Sequence, residues 1–424
     1  MGAPVGVPSS AERTVALGGL VVVALYVVAD GVLLRESGTS TADHAVGVVV
    51  ALALLAASAW AVIRARAGAR AVVTLVWGVL AIVAGVVDGA RHVAVAGLGG
   101  DDVFALLALV AGVVLVVVGI VVLVRSRRRD GTLRRRVLRR TAIAVAGLIV
   151  GFYVVLPIAF AIVGTRRARS ADDAAAFGRD VALRTSDGLR LRATYVPSRN
   201  GAAIVVVPGR SAPGQARMLA RHGYGVLLLD RRGEGRSEGD ANARGWGGVP
   251  DVRAAVAWLR SRPEVEPGKV GGLGMSVGGE LLLEAAAEDR GLRAVVSEGA
   301  GVRSLREQLH EPDAPAGLRW MSPIAAETAA TAVITGRMPP PDLADVVARI
   351  APRPVLLIRA VDGNADEALN VLYARRIGPS ATVWTVRSGG HTGAFSTDPA
   401  AYAERVVGFL DRALHVRRGT SSPG

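Results

Sequence analysis

A serine flanked by glycines is the first residue of this sequence with a chemistry to assign. Residues 271–280 read GGLGMSVGGE, and Gly274, Ser276 and Gly278 form the pattern G-x-S-x-G between an apolar run and a helix-like run. A nucleophilic serine on a sharp strand-to-helix turn needs small neighbours two positions away on each side, because strand and helix approach closely there. The following helix supplies free N–H groups and positive potential for an oxyanion. The pattern therefore predicts a nucleophile at Ser276.

Two other interpretations of this stretch stay open at this point. A plain glycine turn can hold a serine by chance. Gly272, Gly274 and Gly278 also give G-x-G-x-x-x-G, one residue longer than the dinucleotide-binding fingerprint. Glu298 follows about 20 residues later, where that fingerprint has its ribose-binding acid. The dinucleotide interpretation leaves the histidine and the acids described next without a role.

A nucleophilic serine needs a base, and His310 and His391 are the candidates that follow Ser276 and precede the last helical stretch. His391 lies in RSGGHTGAF, a glycine-rich segment directly after the apolar run ATVWTV. A loop histidine at the carboxyl end of a strand is well placed to reach a serine at another strand end. His310 lies in a charged stretch and is interpreted as a surface residue. We therefore predict His391 as the general base.

The third member of a triad is an acid that orients the histidine. After the apolar run PVLLIRA, the segment VDGNADEALN offers Asp362, Asp366 and Glu367. Asp362 has the spacing expected from the strand before it and the helix after it, and it is our first prediction. Asp366 and Glu367 suit a helix N-terminus, where acids are favourable, and each remains an alternative triad acid. Glu298 is an outside candidate.

The elements that must position these residues are short apolar runs alternating with helical stretches from about residue 166 onward. Alternation of strands and helices predicts a doubly wound, mostly parallel sheet with helices on both faces. In such sheets ligands bind outside the carboxyl ends of the strands, where the serine, the histidine and the acids all lie. The eight runs that read as strands are VALRT, LRLRATYV, AAIVVVPG, GVLLLD, KVGGLG, LRAVVSE, PVLLIRA and ATVWTV.

Residues 180–415 resemble the α/β-hydrolase superfamily, in the branch related to dienelactone hydrolases and prolyl-oligopeptidase-like esterases. The resemblance rests on the order of four motifs: VVPGR at 206–210, DRRGEGRS at 230–237, GMSVG at 274–278 and GGHTG at 389–393. It implies an α/β-hydrolase fold, a Ser–acid–His triad and no metal or cofactor. It also implies an oxyanion hole built from the backbone N–H groups of Val277 and Arg210.

The sequence departs from the superfamily's pattern in two loops. The oxyanion loop usually contains His-Gly, and this chain has Pro208-Gly209 there. The donor required is a backbone N–H beyond the glycine, so the activity is expected to survive this change. The acid loop lacks the usual G-x-x-D, which leaves the identity of the acid open.

A stretch of about 50 residues, 302–352, separates two of the predicted strands. Insertions at this point of the fold form a cap over the pocket, and we predict a small cap here. Trp320, Met321, Pro323 and the run MPPPD lie in this stretch. They are expected either to line an acyl-binding pocket or to form a packed connection.

Residues 1–164 have a different composition, rich in Val, Leu, Ala and Ile. The chain as a whole has a net charge of +14, and the densest basic block, RSRRRDGTLRRRVLRR at 125–140, lies between two long apolar runs. We interpret that block as a cytoplasmic membrane flank and not as a nucleic-acid surface. The absence of cysteine from the sequence excludes disulfides and a cysteine nucleophile. The five runs long enough to cross a hydrocarbon core lie near 14–34, 44–63, 71–90, 102–124 and 141–164.

Arginine asymmetry between the loops orients these spans. The loops 64–70 and 125–140 are basic, which predicts a cytoplasmic location for both and an extracytoplasmic location for the hydrolase domain, residues 165–424. The basic segment TRRARS at 165–170 disagrees with this orientation. Asp30 and Asp88 lie near predicted span ends, where a carboxylate can reach the interface.

Together these patterns predict a multi-pass integral protein of a bacterial-type plasma membrane that carries a serine hydrolase domain. The expected substrates are small-molecule or lipid carboxylic esters, or amides, and nucleic acid is not an expected partner. One alternative is a catalytically inactive hydrolase-fold module for sensing or interaction, since fold alone does not confer activity. Another is an acyltransferase, which shares the acyl-enzyme chemistry.

Overall fold

Two compact units make up the chain in its computed structural model. The structure describes residues 10–34, 36–96, 102–125, 132–166, 177–209, 212–304, 306–307 and 322–416. Unit 1 comprises residues up to Arg35, Thr39–Arg166 and Ser322–Arg337. Unit 2 comprises Glu36–Gly38, Arg167–Met321 and the chain from Met338 onward.

Unit 1 is built from long apolar helices. Five of them are long and apolar enough to cross a membrane: Ser10–Leu33, Thr41–Arg64, Ala67–Gly89, Val103–Arg125 and Leu133–Gly164. The predicted spans therefore appear as helices, with the fifth beginning eight residues earlier than predicted because its basic first turns are helical too. In the secondary-structure assignment these are α1 (Ser10–Val28), α2 (Thr41–Arg64), α3 (Ala67–Ala96), α4 (Asp102–Arg125), α5 (Leu133–Val150) and α6 (Leu156–Gly164).

Glycines let two of these helices pack closely. A methyl group added at Gly112 of α4 would lie 2.8 Å from the carbonyl oxygen of Gly78 in α3. The converse addition at Gly78 would lie 2.9 Å from the carbonyl oxygen of Gly112. Such close backbone approach is typical of helix pairs inside membranes, where apolar side chains gain little by leaving lipid.

A helix from much later in the sequence belongs to the same unit. Ser322–Thr335, here called the insertion helix, lies against α2 and α6. A methyl group at Gly47 of α2 would lie 2.9 Å from the carbonyl oxygen of Val333. Residues 322–337, within the predicted cap at 302–352, group with the apolar helices, and the cap itself stays a prediction. Trp320 and Met321, two residues of that predicted cap, lie outside the described residues.

Charged side chains meet at one end of the unit 1 helices. The Arg166 guanidinium, just after α6, lies 2.8 Å from a carboxylate oxygen of Asp30 and 3.0 Å from one of Asp88. It also donates a hydrogen bond of 2.9 Å to the Tyr26 hydroxyl, which in turn contacts Asp88. The two acids that the sequence analysis assigned to span ends are thus paired with the first arginine of the basic segment 165–170.

Unit 2 is an eight-stranded sheet in the order β1-β2-β4-β3-β5-β6-β7-β8. The β2 strand runs antiparallel to both of its neighbours, and β3 to β8 are parallel. All eight predicted strands are present, and the predicted mostly parallel sheet is confirmed. They are β1 (Arg179–Arg184), β2 (Arg190–Val196), β3 (Ala203–Val207), β4 (Gly225–Leu229), β5 (Val270–Met275), β6 (Val295–Glu298), β7 (Val355–Ala360) and β8 (Ala381–Val386).

Helices cover both faces of this sheet, which is why its central strands carry continuous apolar runs. Every residue of β3, β4 and β5 is buried. On one face, Ile204, Val206 and Leu273 pack with Val406 and Leu410 of the last helix. The principal helices are α7 (Pro213–Arg221), α8 (Val249–Arg260), α9 (Val277–Glu288), Leu369–Ile377 and Pro399–Ala413.

Candidate active site

Ser276 lies on a sharp turn between β5 and α9. Its backbone is in the left-handed region, with φ 53° and ψ −128°, which is costly for a residue with a side chain. A methyl group at Gly274 would overlap the carbonyl oxygen of Gly278, and one at Gly278 would overlap the carbonyl oxygen of Val207. The two glycines of the G-x-S-x-G pattern are therefore required by packing between strand and helix. The turn presents the serine hydroxyl at the carboxyl end of the sheet.

His391 connects this serine to a buried acid. The imidazole Nε2 lies 2.9 Å from the Ser276 Oγ, and the Nδ1 lies 2.8 Å from the Oε1 of Glu367. The serine follows β5, the acid follows β7 and the histidine follows β8, so three strand ends bring these side chains together. The chain of contacts from Glu367 through His391 to Ser276 is called the relay below. The Glu367 side chain is only 1% exposed, whereas that of His391 is 30% exposed.

The electrostatics of this pair favour ionised Glu367 and a basic imidazole. The hydrogen bond that the imidazole donates to Glu367 raises the pKa of His391 above its ordinary value, and burial only partly opposes this effect. For Glu367, burial raises the pKa, but hydrogen bonds from His391 and from the N–H groups of Ala360 and Asn364 bring it below its ordinary value. A carboxylate stabilised by three donors is well suited to hold a neutral histidine in one tautomer.

Asp362, the first predicted acid, occupies a different position. Its carboxylate accepts the backbone N–H groups of Gly389 at 3.1 Å and Gly390 at 3.0 Å, and these two bonds lower its pKa. The structure therefore puts Glu367, the alternative, beside His391, whereas Asp362 binds the backbone of the loop that precedes this histidine. The reason is reach: Asp362 comes directly after the strand, whereas Glu367 lies in a turn of helix, Ala365–Ala368, that points back to the imidazole.

The remaining acids of the sequence analysis also have defined partners. The Asp366 carboxylate accepts the backbone N–H of Val302 at 3.0 Å, away from the relay. Glu298, at the end of β6, is 2% exposed and accepts a hydrogen bond from the backbone N–H of Ala394 and from the Tyr402 hydroxyl. Neither acid hydrogen-bonds to His391 in the described contacts. His310, the other candidate base, lies outside the described residues.

Two backbone segments border the serine where an oxyanion would form. Val277 is the first residue of α9, so its N–H has no acceptor in a preceding turn. A methyl group at Gly209, after β3, would lie 3.0 Å from the Ser276 Cβ. The Gly209 carbonyl accepts a hydrogen bond of 3.1 Å from the buried guanidinium of Arg231, a contact that the motif gave no means to foresee. Arg210, the second predicted donor, lies outside the described residues.

The order of the strands, the sharp turn at Ser276 and the relay together define the class of this unit. A mostly parallel eight-stranded sheet with a G-x-S-x-G turn after β5, followed in sequence by the acid and the histidine, is the α/β-hydrolase fold. The resemblance predicted from the sequence is thereby confirmed at the level of the superfamily. A dinucleotide-binding loop is not favoured, because the Ser276 hydroxyl contacts His391 and both oxygens of Glu298 accept hydrogen bonds from Ala394 and Tyr402.

Comparisons with known protein families agree with this class. Residues 165–364 match the family described as X-Pro dipeptidyl-peptidase (S15 family), a match to slightly less than half of the chain. This chain is therefore similar to that family over most of unit 2. The match supports a hydrolase.

Relatives among curated proteins cover only part of their own lengths. An uncharacterised protein of Mycobacterium tuberculosis is 34% identical over 119 residues, which are 26% of this chain and 42% of that protein. The thiohydrolase aneE of Aspergillus aculeatus is 33% identical over 131 residues, 28% of this chain and 40% of that enzyme. This chain thus spans less than half the length of these relatives. The uncharacterised YfhR protein of Escherichia coli is 26% identical over 55% of this chain and 81% of its own.

Among solved structures, an esterase of Pyrococcus furiosus aligns with 59% of this chain and 98% of its own. The TM-score is 0.48 and the sequence identity 18%. The acylaminoacyl peptidase of Pyrococcus horikoshii aligns with 58% of this chain and 43% of its own, with a TM-score of 0.43 and 15% identity.

Proposed function

We propose that this chain is a membrane-anchored serine hydrolase that cleaves carboxylic esters through an acyl-enzyme. The observation that carries the proposal is the relay of 2.8 Å and 2.9 Å from Glu367 through His391 to Ser276. Ser276 lies at a strained turn, and a serine with only a structural role would have no reason to adopt this costly backbone conformation.

The relay supports acyl transfer by familiar chemistry. His391 Nε2 takes the proton of the Ser276 hydroxyl as its oxygen attacks the acyl carbon, and the tetrahedral intermediate forms. The imidazolium then gives that proton to the leaving alcohol, and an acyl-serine remains. A water molecule then attacks the acyl-serine while His391 takes its proton. The imidazolium returns that proton to the serine oxygen as the acid leaves. Glu367 holds the Nδ1–H throughout, so that the Nε2 lone pair faces the serine in the resting state.

The oxyanion would be held by backbone N–H groups. We assign one to Val277, because a helix N-terminus offers both an unpaired donor and positive potential. The second is assigned to Arg210, on the strength of the superfamily resemblance and of the position of Gly209, where an added methyl group would lie 3.0 Å from the Ser276 Cβ. Removal of a single donor of this kind typically lowers kcat about 10²–10³-fold.

Transfer of the acyl group to an alcohol is a second candidate, and the name of one relative favours it. The polyketide transferase grgF of a Penicillium species is 33% identical to this chain over 129 residues, 43% of that enzyme. Adding a primary alcohol to an ester assay separates the two activities. A hydrolase yields mainly free acid, whereas a transferase yields mainly the new ester.

Labelling with a fluorophosphonate tests the proposed nucleophile directly. We expect labelling of membrane fractions containing the full chain, and its loss in Ser276→Ala and in His391→Ala. His222→Ala is the matched control, since His222 belongs to the same unit and its imidazole contacts only the Met218 carbonyl in the described hydrogen bonds. Absence of labelling in the folded full-length chain would refute the hydrolase mechanism and favour an inactive hydrolase-fold module.

We further propose that unit 2 is extracytoplasmic, because the basic loops 64–70 and 125–140 favour the cytoplasm. The span count is consistent with this: four candidate spans separate Glu36–Gly38 from Arg167, and an even number keeps these two parts of unit 2 on the same side. The charge of Arg166 is offset by Asp30 and Asp88, which weakens the objection raised by the basic segment 165–170. Reporter fusions after residue 170 test this orientation: activity of a reporter that works only in the cytoplasm would overturn it.

A further inference from the structure

A buried carboxylate next to the relay has no part in the mechanism described above. Glu298 ends β6, the strand beside the one that carries the nucleophile, and it is 2% exposed. Its Oε1 accepts the backbone N–H of Ala394 at 3.0 Å, and its Oε2 accepts the hydroxyl of Tyr402 at 2.9 Å. Ala394 lies three residues after His391, so the carboxylate is attached to the segment that carries the base.

The backbone of the same residue contacts the nucleophile. The N–H of Ser276 donates to the carbonyl oxygen of Glu298 at 2.7 Å. The next residue, Gly299, has φ 68°, and a methyl group there would lie 3.1 Å from the Cε1 and 3.2 Å from the Nδ1 of His391. One dipeptide therefore holds the serine by its main chain, packs on the imidazole with a bare glycine, and fixes the histidine loop with a side chain.

A purely structural role gives no reason for a charge at this position. Burying a carboxylate is costly, and an apolar side chain of similar volume often serves packing as well or better. Burial raises the pKa of Glu298 above its ordinary value and Glu367 adds to this effect, while the two hydrogen bonds and the electrostatic influence of His391 oppose it in part. Both carboxylate oxygens accept a hydrogen bond, which is the arrangement expected of the anion.

We propose that Glu298 is a positioning residue for the triad: its carboxylate fixes the His391 loop at the nucleophile turn, and its negative charge favours the imidazolium that forms when Ser276 gives up its proton. This inference rests on the proposed function. The acids that face the imidazole from other elements are Glu367, in contact, and Asp366 and Glu280 at longer range. Glu298 adds a negative charge at the end of β6. The imidazole packs on Gly299, the residue that follows Glu298.

Glu298→Gln is the informative variant, because the amide keeps the shape and can still accept from Ala394 and donate to the Tyr402 oxygen. With 4-nitrophenyl acetate as substrate, we expect kcat to fall about tenfold and KM to stay within about twofold. We also expect the pKa of the His391 imidazole to fall by about half a unit to one unit, since a nearby negative charge has been removed. A merely structural role would lower the melting temperature without moving this pKa.

The imidazole pKa can be read without catalysis. NMR titration of the full-length, histidine-labelled chain in detergent micelles gives it, with the His391 signal assigned by its loss in His391→Ala. If labelling of Ser276 fails but Glu298→Gln still lowers this pKa, the proposed function fails and the electrostatic role of Glu298 stands. An unchanged pKa together with unchanged kcat in folded Glu298→Gln would overturn the inference.

A matched control pairs the same side chains elsewhere in unit 2. The Tyr195 hydroxyl donates to Glu264 at 2.6 Å. Glu264 precedes the amino-terminal end of β5, whereas Ser276 follows its carboxyl end. Glu264→Gln is expected to leave both the kcat and the His391 pKa unchanged. If Glu298→Gln does not fold, Tyr402→Phe removes one of the two donors and leaves the carboxylate in place. A kcat for Tyr402→Phe equal to that of the wild type would then count against the inference.

Discussion

The identity of the acid can be decided by comparing three amide substitutions in one loop. Glu367→Gln places an amide against the Nδ1 of His391. When the amide N–H₂ faces that nitrogen, the imidazole proton moves to Nε2, which then points at the serine and cannot act as a base. Loss of the correct tautomer typically lowers kcat about 10⁴-fold. At 1.36 kcal/mol for each tenfold change, the corresponding rise in the barrier is about 5 kcal/mol.

Asp362→Asn should behave differently. Its carboxylate is exposed and bonds to the N–H groups of Gly389 and Gly390, and an asparagine oxygen can keep one of these bonds. We expect kcat to fall by less than about tenfold, because the loop loosens while the tautomer is preserved. Asp366→Asn, whose partner is the Val302 N–H, is the third member of the series and should also retain most activity.

The assay is the initial rate of 4-nitrophenyl acetate hydrolysis, together with the rate of fluorophosphonate labelling. Glu367 also accepts the N–H groups of Ala360 and Asn364, so a melting curve for each variant must show that the assay temperature lies below its transition. The reasoning is refuted if Asp362→Asn loses as much activity as Glu367→Gln, or if folded Glu367→Gln retains wild-type activity.

Three further outcomes follow from the structure of unit 2. Activity should fall as the pH drops, with a midpoint above about 6.5, since the base must be neutral and the pKa of His391 is raised; a pH–rate profile of kcat/KM checks this. Gly278→Ala should abolish folding or expression, because its methyl group meets a backbone carbonyl, whereas Gly268→Ala, with open space around it, should be tolerated. Arg232→Met should destabilise unit 2 by about 3–5 kcal/mol in chemical denaturation, since it leaves the buried carboxylate of Asp251 unpaired.

The elements of unit 2 were predictable because each has a strong local signal. Runs such as IVVV and VLLL are too short and too apolar for anything but strands buried on both faces, and the glycines around Ser276 fix the turn that presents it. The histidine was predictable for a related reason, since its loop follows the last strand directly.

The acid was harder to predict because three carboxylates lie within six residues of one another. Spacing from the strand favoured Asp362, but which carboxylate meets His391 depends on the path of the turn Ala365–Ala368. Sequence gives Glu367 the appearance of a helix-capping residue, and it does complete a capping box with Asn364. The same Oε1 that accepts the Asn364 N–H also contacts the imidazole, and this second contact depends on a loop 24 residues later.

The place of the insertion helix could not be predicted from its own sequence. Ser322–Thr335 is short and rich in Ala and Thr, so it lacks the length that identified the five spans. Its neighbours in unit 1, α2 and α6, lie more than 150 residues earlier in the chain. A contact of this kind leaves no local pattern, and only the superfamily's habit of placing a cap there guided the prediction.

The insertion helix also determines how the protein can be dissected. A chain shortened to begin at residue 167 keeps residues 322–337 but loses α2 and α6, the helices against which they pack. The apolar side chains of the insertion helix would then face water, and exposed apolar surface of this kind promotes aggregation. Obtaining a soluble hydrolase unit therefore requires two excisions, one before residue 167 and one that replaces 322–337 with a polar linker.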